Sequence, residues 1–135
     1  MNIKIVIDSA CDMSLADAEK SNIRIVPLKV FFGDKMYLDN VTLSHSEFYE
    51  KLIESTQLPT TSQITPYEFG QVFREETQAG NKVICITVSS KLSGTYQSAF
   101  LAAKDFENVA VIDSLNGSIG ERILADYGVS LINRC

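Results

Sequence analysis

Tryptophan is absent from this 135-residue sequence, and histidine occurs once, as His45. Cysteine is scarce too: Cys11, Cys85 and Cys135 are widely spaced and odd in number, so they indicate neither a disulfide framework nor a metal-binding motif. We therefore expect a reducing, cytoplasmic compartment, no metal and no other cofactor. A serine nucleophile would need a base, and His45 is the only histidine available for that role. Its context, SHSE, indicates instead the first turn of a helix.

Positive charge and long apolar runs are also in short supply. The chain has 12 Lys and Arg against 17 Asp and Glu, which gives a net charge of −5 and a pI of about 4.8. Nucleic-acid binding needs clustered Lys and Arg, so this balance argues against DNA or RNA as a partner. No apolar run approaches the roughly 18 residues of a membrane helix, so we expect a protein that does not span a membrane. The N-terminus enters the strand-like stretch MNIKIVID at once, so we expect no signal peptide.

The sequence does contain an alternation of strand and helix patterns. Apolar residues make up 45% of the chain, and the apolar, β-branched runs at 3–7, 82–88 and 108–113 are typical of buried parallel strands. Strands that alternate with helices indicate a parallel sheet with helices on both faces. We predict a three-layer α/β/α fold with a mainly parallel central sheet, formed by residues 1–135 as one domain. Cys85, inside the second run, is expected to be a small buried residue.

Capping residues indicate where the helices begin. Ser44 predicts a helix through about Ser55, and Thr65 followed by Pro66 predicts another that ends near Gly80. Shorter helices are predicted after Ser14 and after the stretch at 89–95, and a final one from about 119 to 132. Periodicity predicts that three groups of side chains face inward. They are Phe48, Leu52 and Ile53; Phe69, Val72 and Phe73; and Ala99, Phe100 and Ala103.

The region between the first and second strand patterns is less regular. IRIVPLKVFF reads as extended, and Pro27 makes one continuous central strand unfavourable. Gly33-Asp34 is a turn signal, so KMYLD is predicted to return as the second arm of a hairpin. LPTTSQITP at 58–66 predicts a loop.

Polar residues end three of the predicted strands, at Asp8-Ser9, Ser89-Ser90 and Asp113-Ser114. In open α/β sheets the ligand crevice lies at the carboxyl ends of the strands, so these residues share one rim if the strands are neighbours. In the stretch SSKLSGT at 89–95, Ser93, Gly94 and Thr95 open a helix whose first N–H groups are unpaired. Gly94 lets a ligand approach the backbone, and the hydroxyls add donors. This combination favours a carboxylate or phosphate, with a plain helix cap as the alternative.

A second cluster of hydrogen-bonding side chains, Thr60-Thr61-Ser62-Gln63, lies between two helical patterns. Thr65 already suits the cap of the following helix, so the four consecutive polar side chains indicate a wall of a ligand site. A polar surface loop is the alternative interpretation.

Several enzyme motifs are missing. The chain has no GxSxG elbow, no GxxxxGK loop and no GxGxxG after a strand. A metal-assisted phosphoryl-transfer domain that uses Asp8 and Asp113 with a divalent ion stays open as an alternative, although acidic side chains at strand ends commonly cap loops. A regulatory domain without a small ligand is a third alternative.

The motifs, taken in order, resemble the N-terminal part of the DegV family of bacterial fatty-acid-binding proteins. The matching blocks are IVIDSACDMS at 5–14, PLKVFF at 27–32, PTTSQITP at 59–66, ITVSSKLSGTYQSA at 86–99 and VIDSLNGSIG at 111–120. The resemblance covers essentially the whole chain, and the TTSQ and SSKLSGTYQSA blocks are its specific parts.

The resemblance implies a carrier and not an enzyme. Proteins of this family hold the carboxylate of one long-chain fatty acid through hydroxyls and present the acid to an ATP-dependent fatty acid kinase, which makes the acyl phosphate. Carried over to this sequence, the carboxylate ligands are Thr61 and Ser93. Ser62, Gly94 and Thr95 support them through backbone or hydroxyl contacts.

Length is the one departure from the family. Its members are about twice as long, and the tail of the fatty acid lies between the domain matched here and a second α/β domain. We therefore expect the 135-residue chain on its own to hold fatty acid weakly or not at all. We also expect it to expose apolar surface and to be prone to self-association.

Overall fold

The computed structural model of the chain describes residues 2–135. None of the helices in this range is both long and apolar enough to cross a membrane. A short 3₁₀ turn, Ser9–Cys11, follows the first strand. In chain order the elements are β1 (Asn2–Asp8), α1 (Leu15–Lys20), β2 (Ile23–Val26), β3 (Lys29–Phe32), β4 (Lys35–Leu38), α2 (His45–Glu54), β5 (Thr60–Ser62), α3 (Pro66–Gln78), β6 (Asn81–Thr87), α4 (Thr95–Ala103), β7 (Val109–Asp113) and α5 (Ile119–Ile132).

The central sheet is parallel and has the strand order β2-β1-β6-β7. Ile5 of β1 lies opposite Ile23 of β2 on one side and Ile84 of β6 on the other. Apolar, β-branched runs suit such strands, because helices cover both faces of a parallel sheet. The strands predicted from the three apolar runs are β1, β6 and β7, and each is confirmed with ends that differ by one residue at most.

Helices cover both faces of the central sheet. On one face, Phe69 and Phe73 of α3 pack with α4 around the fully buried Cys85. On the other face, Ala18 of α1 and Ala125 of α5 pack against the isoleucines of β1. The predicted three-layer α/β/α architecture with a parallel central sheet is therefore confirmed.

A smaller antiparallel sheet has the order β4-β3-β5. Its hairpin turns at Gly33, whose φ of +60° is the left-handed conformation that glycine adopts without strain. This confirms the predicted hairpin. The prediction of a loop throughout 58–66 is wrong at β5, where Thr61 lies opposite Val30 of β3. The free edge of β3 offers unpaired N–H and C=O groups, and the threonines of β5 favour an extended conformation.

Side-chain caps start three of the helices, as predicted. The hydroxyl of Ser14 accepts a backbone N–H in the first turn of α1. Ser44 with Glu47 and Thr65 with Glu68 form reciprocal capping boxes at α2 and α3. These local hydrogen bonds satisfy N–H groups that have no partner inside the helix, which explains why the helix starts can be located from the sequence.

Two of the predicted inward-facing residues are not inside. Ile53 of α2 is 85% exposed, and α2 buries none of its residues. This helix contacts the small sheet through an edge-to-face contact between Phe48 and Phe32, with 5.7 Å between the ring centroids. Phe100 of α4 is 42% exposed and stacks on Tyr96. The small side chains of α4 take the inward positions there, which lets α4 approach the sheet closely.

Replacing a core phenylalanine is expected to cost far more stability than replacing the misassigned isoleucine. Phe73→Ala should lower the free energy of unfolding by about 3–5 kcal/mol, because the ring is fully buried against Phe69. Ile53→Ala should change it by less than about 0.5 kcal/mol. Urea unfolding of both variants measures the difference, and a large loss for Ile53→Ala would contradict the orientation of α2.

Candidate functional site

The carboxyl ends of β1 and β6 are tied together by one buried carboxylate. Asp8 is fully buried and accepts N–H groups from Ala10 (3.0 Å) and from Val88 (2.6 Å). Ala10 belongs to the turn after β1, and Val88 begins the segment after β6. The two loops are therefore held against each other at one edge of the central sheet.

A cavity of about 940 Å³ lies at this edge, between the two loops, the small sheet and the first turns of α2. Its volume falls within the range of about 300–1,000 Å³ that is common for small-molecule sites. The apolar lining consists of Ala10, Leu28, Val30, Phe48, Tyr49, Val88, Leu92 and Ile119. The polar lining consists of Asp12, Asp39, His45, Thr61, Ser62, Gln63, Ser93 and Ser118, with Gly94 beside them.

Thr61 reaches the cavity because of its position on β5. It lies directly opposite Val30 of β3 in the antiparallel pair, and residues paired in this way project to the same face of a sheet. Val30 and Thr61 both line the cavity, and Ser62 joins them at the end of the strand. The strand that the sequence did not predict is thus the element that directs the TTSQ cluster into the site.

Ser93 and Gly94 line the cavity from the loop before α4, while Thr95 lies behind them and is fully buried. The Ser93 hydroxyl is 2.9 Å from the Thr95 hydroxyl and accepts the Thr95 N–H at 3.2 Å. Gly94 is the N-cap of α4 and has no side chain of its own to cap the helix. The positive end of α4 therefore faces the cavity, where the neutral Ser93 hydroxyl accepts the first N–H group of the helix, and this end suits an anionic group.

Several lining residues were not among the predicted site residues. His45, Phe48 and Tyr49 reach the cavity from α2, and Asp39 reaches it from the end of β4. Burial raises the pKa of Asp39, while a hydrogen bond to Ser9 and the charge of His45 act in the opposite direction. The capping box at Ser44 located the start of α2, but only the contact of α2 with the small sheet decides which side of the helix faces the cavity.

The carboxyl of Glu121, in the first turn of α5, is buried beside Asp8. No N–H or O–H group of residues 2–135 donates to either Glu121 oxygen. Burial and the neighbouring Asp8 carboxylate raise the pKa of Glu121 to about 10. Burial raises the pKa of Asp8 as well, but two backbone N–H groups stabilise its charged form. Glu121 is therefore the member of the pair that is held in its neutral form.

Asp8 and Asp113, the acidic residues of the phosphoryl-transfer alternative, both accept backbone N–H groups of the loops at the strand ends. The Asp8 oxygens are taken by the N–H groups already described, and Asp113 accepts the N–H groups of Ser90 (3.1 Å) and Leu115 (3.0 Å). Neither residue lines the cavity. Within residues 2–135, no group of three or more His, Cys, Asp and Glu side chains is arranged to hold a metal ion.

The arrangement of motifs and fold identifies the family. A family model described as "Uncharacterised protein, DegV family" matches residues 2–134. The chain belongs to the DegV family. A DegV domain-containing protein of Clostridium perfringens is 42% identical over 120 residues, which cover 87% of this chain and 43% of that protein. The family resemblance expected from the sequence motifs is confirmed.

Solved structures, DegV of Bacillus subtilis among them, share the fold described above. A stearic acid-binding protein from Eubacterium ventriosum is 35% identical, with a TM-score of 0.89 over 98% of this chain and 48% of that one. DegV of Bacillus subtilis, a fatty-acid-binding protein, is 32% identical, with a TM-score of 0.91 over 99% of this chain and 48% of that one. This chain therefore spans about half the length of the DegV proteins it matches.

The raised pKa of the buried Glu121 carboxyl predicts a pH-dependent stability. Because the pKa of Glu121 is raised, the contribution of the neutral side chain to folding stability is fully present below the ordinary pKa of 4.5. This contribution is lost as pH rises through about 10. Glu121→Gln keeps an N–H donor beside Asp8 at every pH. Between pH 5 and 9, the free energy of unfolding of the wild type should fall relative to that of the Glu121→Gln variant, by up to about 1.4 kcal/mol per pH unit.

Urea unfolding at pH 5.5, 7 and 8.5 measures this difference. Glu50→Gln, at an exposed position of α2, is the matched control and should follow the wild-type curve. If the free energies of unfolding of Glu121→Gln and of wild type change in parallel with pH across this range, the assignment of a neutral Glu121 is wrong.

Proposed function

We propose that this chain binds a long-chain fatty acid, with the carboxylate held by Thr61 and Ser93 and the tail among the apolar residues of the cavity. One observation carries the proposal: the two hydroxyl-rich segments, far apart in the sequence, line one cavity at the carboxyl edge of the sheet. The similarity of this chain to fatty-acid-binding proteins of known structure supports the same ligand class.

Neutral donors suffice for the carboxylate in this proposal. The hydroxyls of Thr61 and Ser93 donate to its oxygens, and the start of α4 adds a favourable dipole. Ser62 and Gly94 sit beside them in the cavity wall. Thr95 lies behind Ser93, with 2.9 Å between the two hydroxyl oxygens. In this proposal the Thr95 hydroxyl donates to the Ser93 oxygen, which leaves the Ser93 hydrogen for the ligand.

The apolar lining suits an acyl tail. Leu28, Val30 and Val88 form the inner part of the cavity wall, and Leu92 and Ile119 form an exposed apolar rim. Each buried methylene contributes roughly 0.8 kcal/mol before the cost of binding is subtracted. We propose that residues 1–135 form one domain and that a second domain, as in the family, covers this rim. Without such a cover, the rim favours weak binding and self-association.

We propose a carrier role with no chemistry of its own. In that role the carboxylate is offered to an ATP-dependent fatty acid kinase, which forms the acyl phosphate. The exposure of Thr61 supports this, because a phosphoryl donor can approach the head group from its side. Cys11, Cys85 and Cys135 are all free thiols, which agrees with a cytoplasmic carrier.

The proposal predicts which hydroxyls matter for binding. Thr61→Val and Ser93→Ala should each weaken the binding of stearic acid by about tenfold or more, since each removes a hydrogen bond to a charged group. Thr60→Val is the matched control: it lies next to Thr61 on β5 but outside the cavity lining, and should leave affinity unchanged.

Binding is measured by calorimetric titration in two proteins: this chain, and this chain joined to the C-terminal half of the Bacillus subtilis relative. The joined protein should bind one equivalent of stearic acid and this chain much less. Unchanged affinity in the Thr61→Val, Ser93→Ala double variant would refute the head-group assignment. A joined protein that binds no fatty acid and releases phosphate from ATP in magnesium would refute the carrier role.

A further inference from the structure

The two segments assigned to the carboxylate belong to different sheets. Thr61 lies on β5 of the antiparallel sheet, and Ser93 follows β6 of the parallel sheet. Within residues 2–135 no backbone pairing joins one sheet to the other. Strand pairing therefore does not set the separation of the two hydroxyls, which depends on side-chain packing between the two parts of the chain.

Gln63 makes such a contact. It follows β5 directly, and its side-chain Nε2 donates to the hydroxyl of Ser98 at 3.4 Å. Ser98 lies inside α4 and is only 2% exposed, so it is a fixed anchor. The Gln63 side chain thus reaches from the end of one sheet across to the helix that Ser93 precedes.

The path of the Gln63 side chain crosses Gly94. A Cβ atom at position 94 would overlap the Gln63 Oε1 and come within 2.8 Å of its Cδ. The backbone of Gly94 has φ −74° and ψ 1°, a conformation open to any residue, so its own geometry does not demand glycine. Glycine at this position instead leaves the space in which the Gln63 amide lies.

We propose that Gln63 is a positioning residue: docked over Gly94 and bonded to Ser98, it clamps β5 to the start of α4 and fixes the spacing of the Thr61 and Ser93 hydroxyls. This inference rests on the proposed function for its consequence in binding. The next residue, Ile64, is buried and fixes how close this segment lies to the core. Gln63 fixes the position of the same segment along the axis of α4.

The clamp predicts that two different substitutions have one shared effect. Gln63→Ala removes the clamp. Gly94→Ala displaces it, because the overlapping atoms are the flexible end of the Gln63 side chain, which can swing away. Each variant should weaken stearic acid binding about fivefold, the equivalent of one hydrogen bond. The double variant should lose no more than either single variant, since the interaction is already gone.

Two measurements test this, one with ligand and one without. Stearic acid affinity is measured in the two proteins described above, and deuterium exchange at the amides of residues 60–64 is measured in the ligand-free chain. Both single variants and the double variant should show the same acceleration of exchange. Gln71→Ala, on the exposed side of α3 and bonded only to Tyr67, and Gly70→Ala, which has open space beside it, are matched controls and should change neither readout.

The outcomes separate the clamp from the proposed function. Additive effects of Gln63→Ala and Gly94→Ala on exchange in the ligand-free chain would overturn the clamp. Shared acceleration of exchange with unchanged affinity would overturn its positioning role. If the unsubstituted proteins bind no stearic acid, the proposed function and with it the positioning role fall, and shared exchange behaviour then supports a contact between the sheets alone.

Discussion

The parallel pairing of β1 with β6, and of β6 with β7, is the constraint on which the site depends. Because the strands run in one direction, their polar ends come together at one edge, and Asp8 fastens the first two of these ends through backbone N–H groups. The start of α4, with Gly94 as its N-cap, lies at the same edge. The antiparallel sheet then supplies the opposite wall, so the cavity lies between two independently built sheets.

Local signals account for the parts of the fold that could be predicted. Capping boxes at Ser44 and Thr65 and apolar runs such as β6 are encoded by neighbouring residues, so their positions follow from the sequence. β5 is different, because its three residues become a strand only by pairing with β3, about thirty positions earlier. The inward face of a short helix is also poorly encoded. Ile53 and Phe100 fit the periodicity, yet packing directs both outward.

The candidate site likewise has residues that could be predicted from local sequence signals and residues that could not. Thr61, Ser62, Ser93 and Gly94 line the cavity, and their clusters were visible as polar residues beyond the needs of a helix cap. Their carboxylate role came from the family resemblance and stays a prediction. The contributions of α2 and of Asp39 could not be predicted, because they depend on how the small sheet packs. The Gln63 contact could not be predicted either, because it depends on how β5 packs beside α4 and on the space above Gly94.

A crystal structure of the joined protein with stearic acid bound is the most direct test of the central claim. The account predicts that the carboxylate oxygens lie within about 3.2 Å of the Thr61 and Ser93 hydroxyl oxygens. The tail should run along Val30 and Val88. A carboxylate turned toward Asp39 and His45, or an acid bound outside this cavity, would contradict the account.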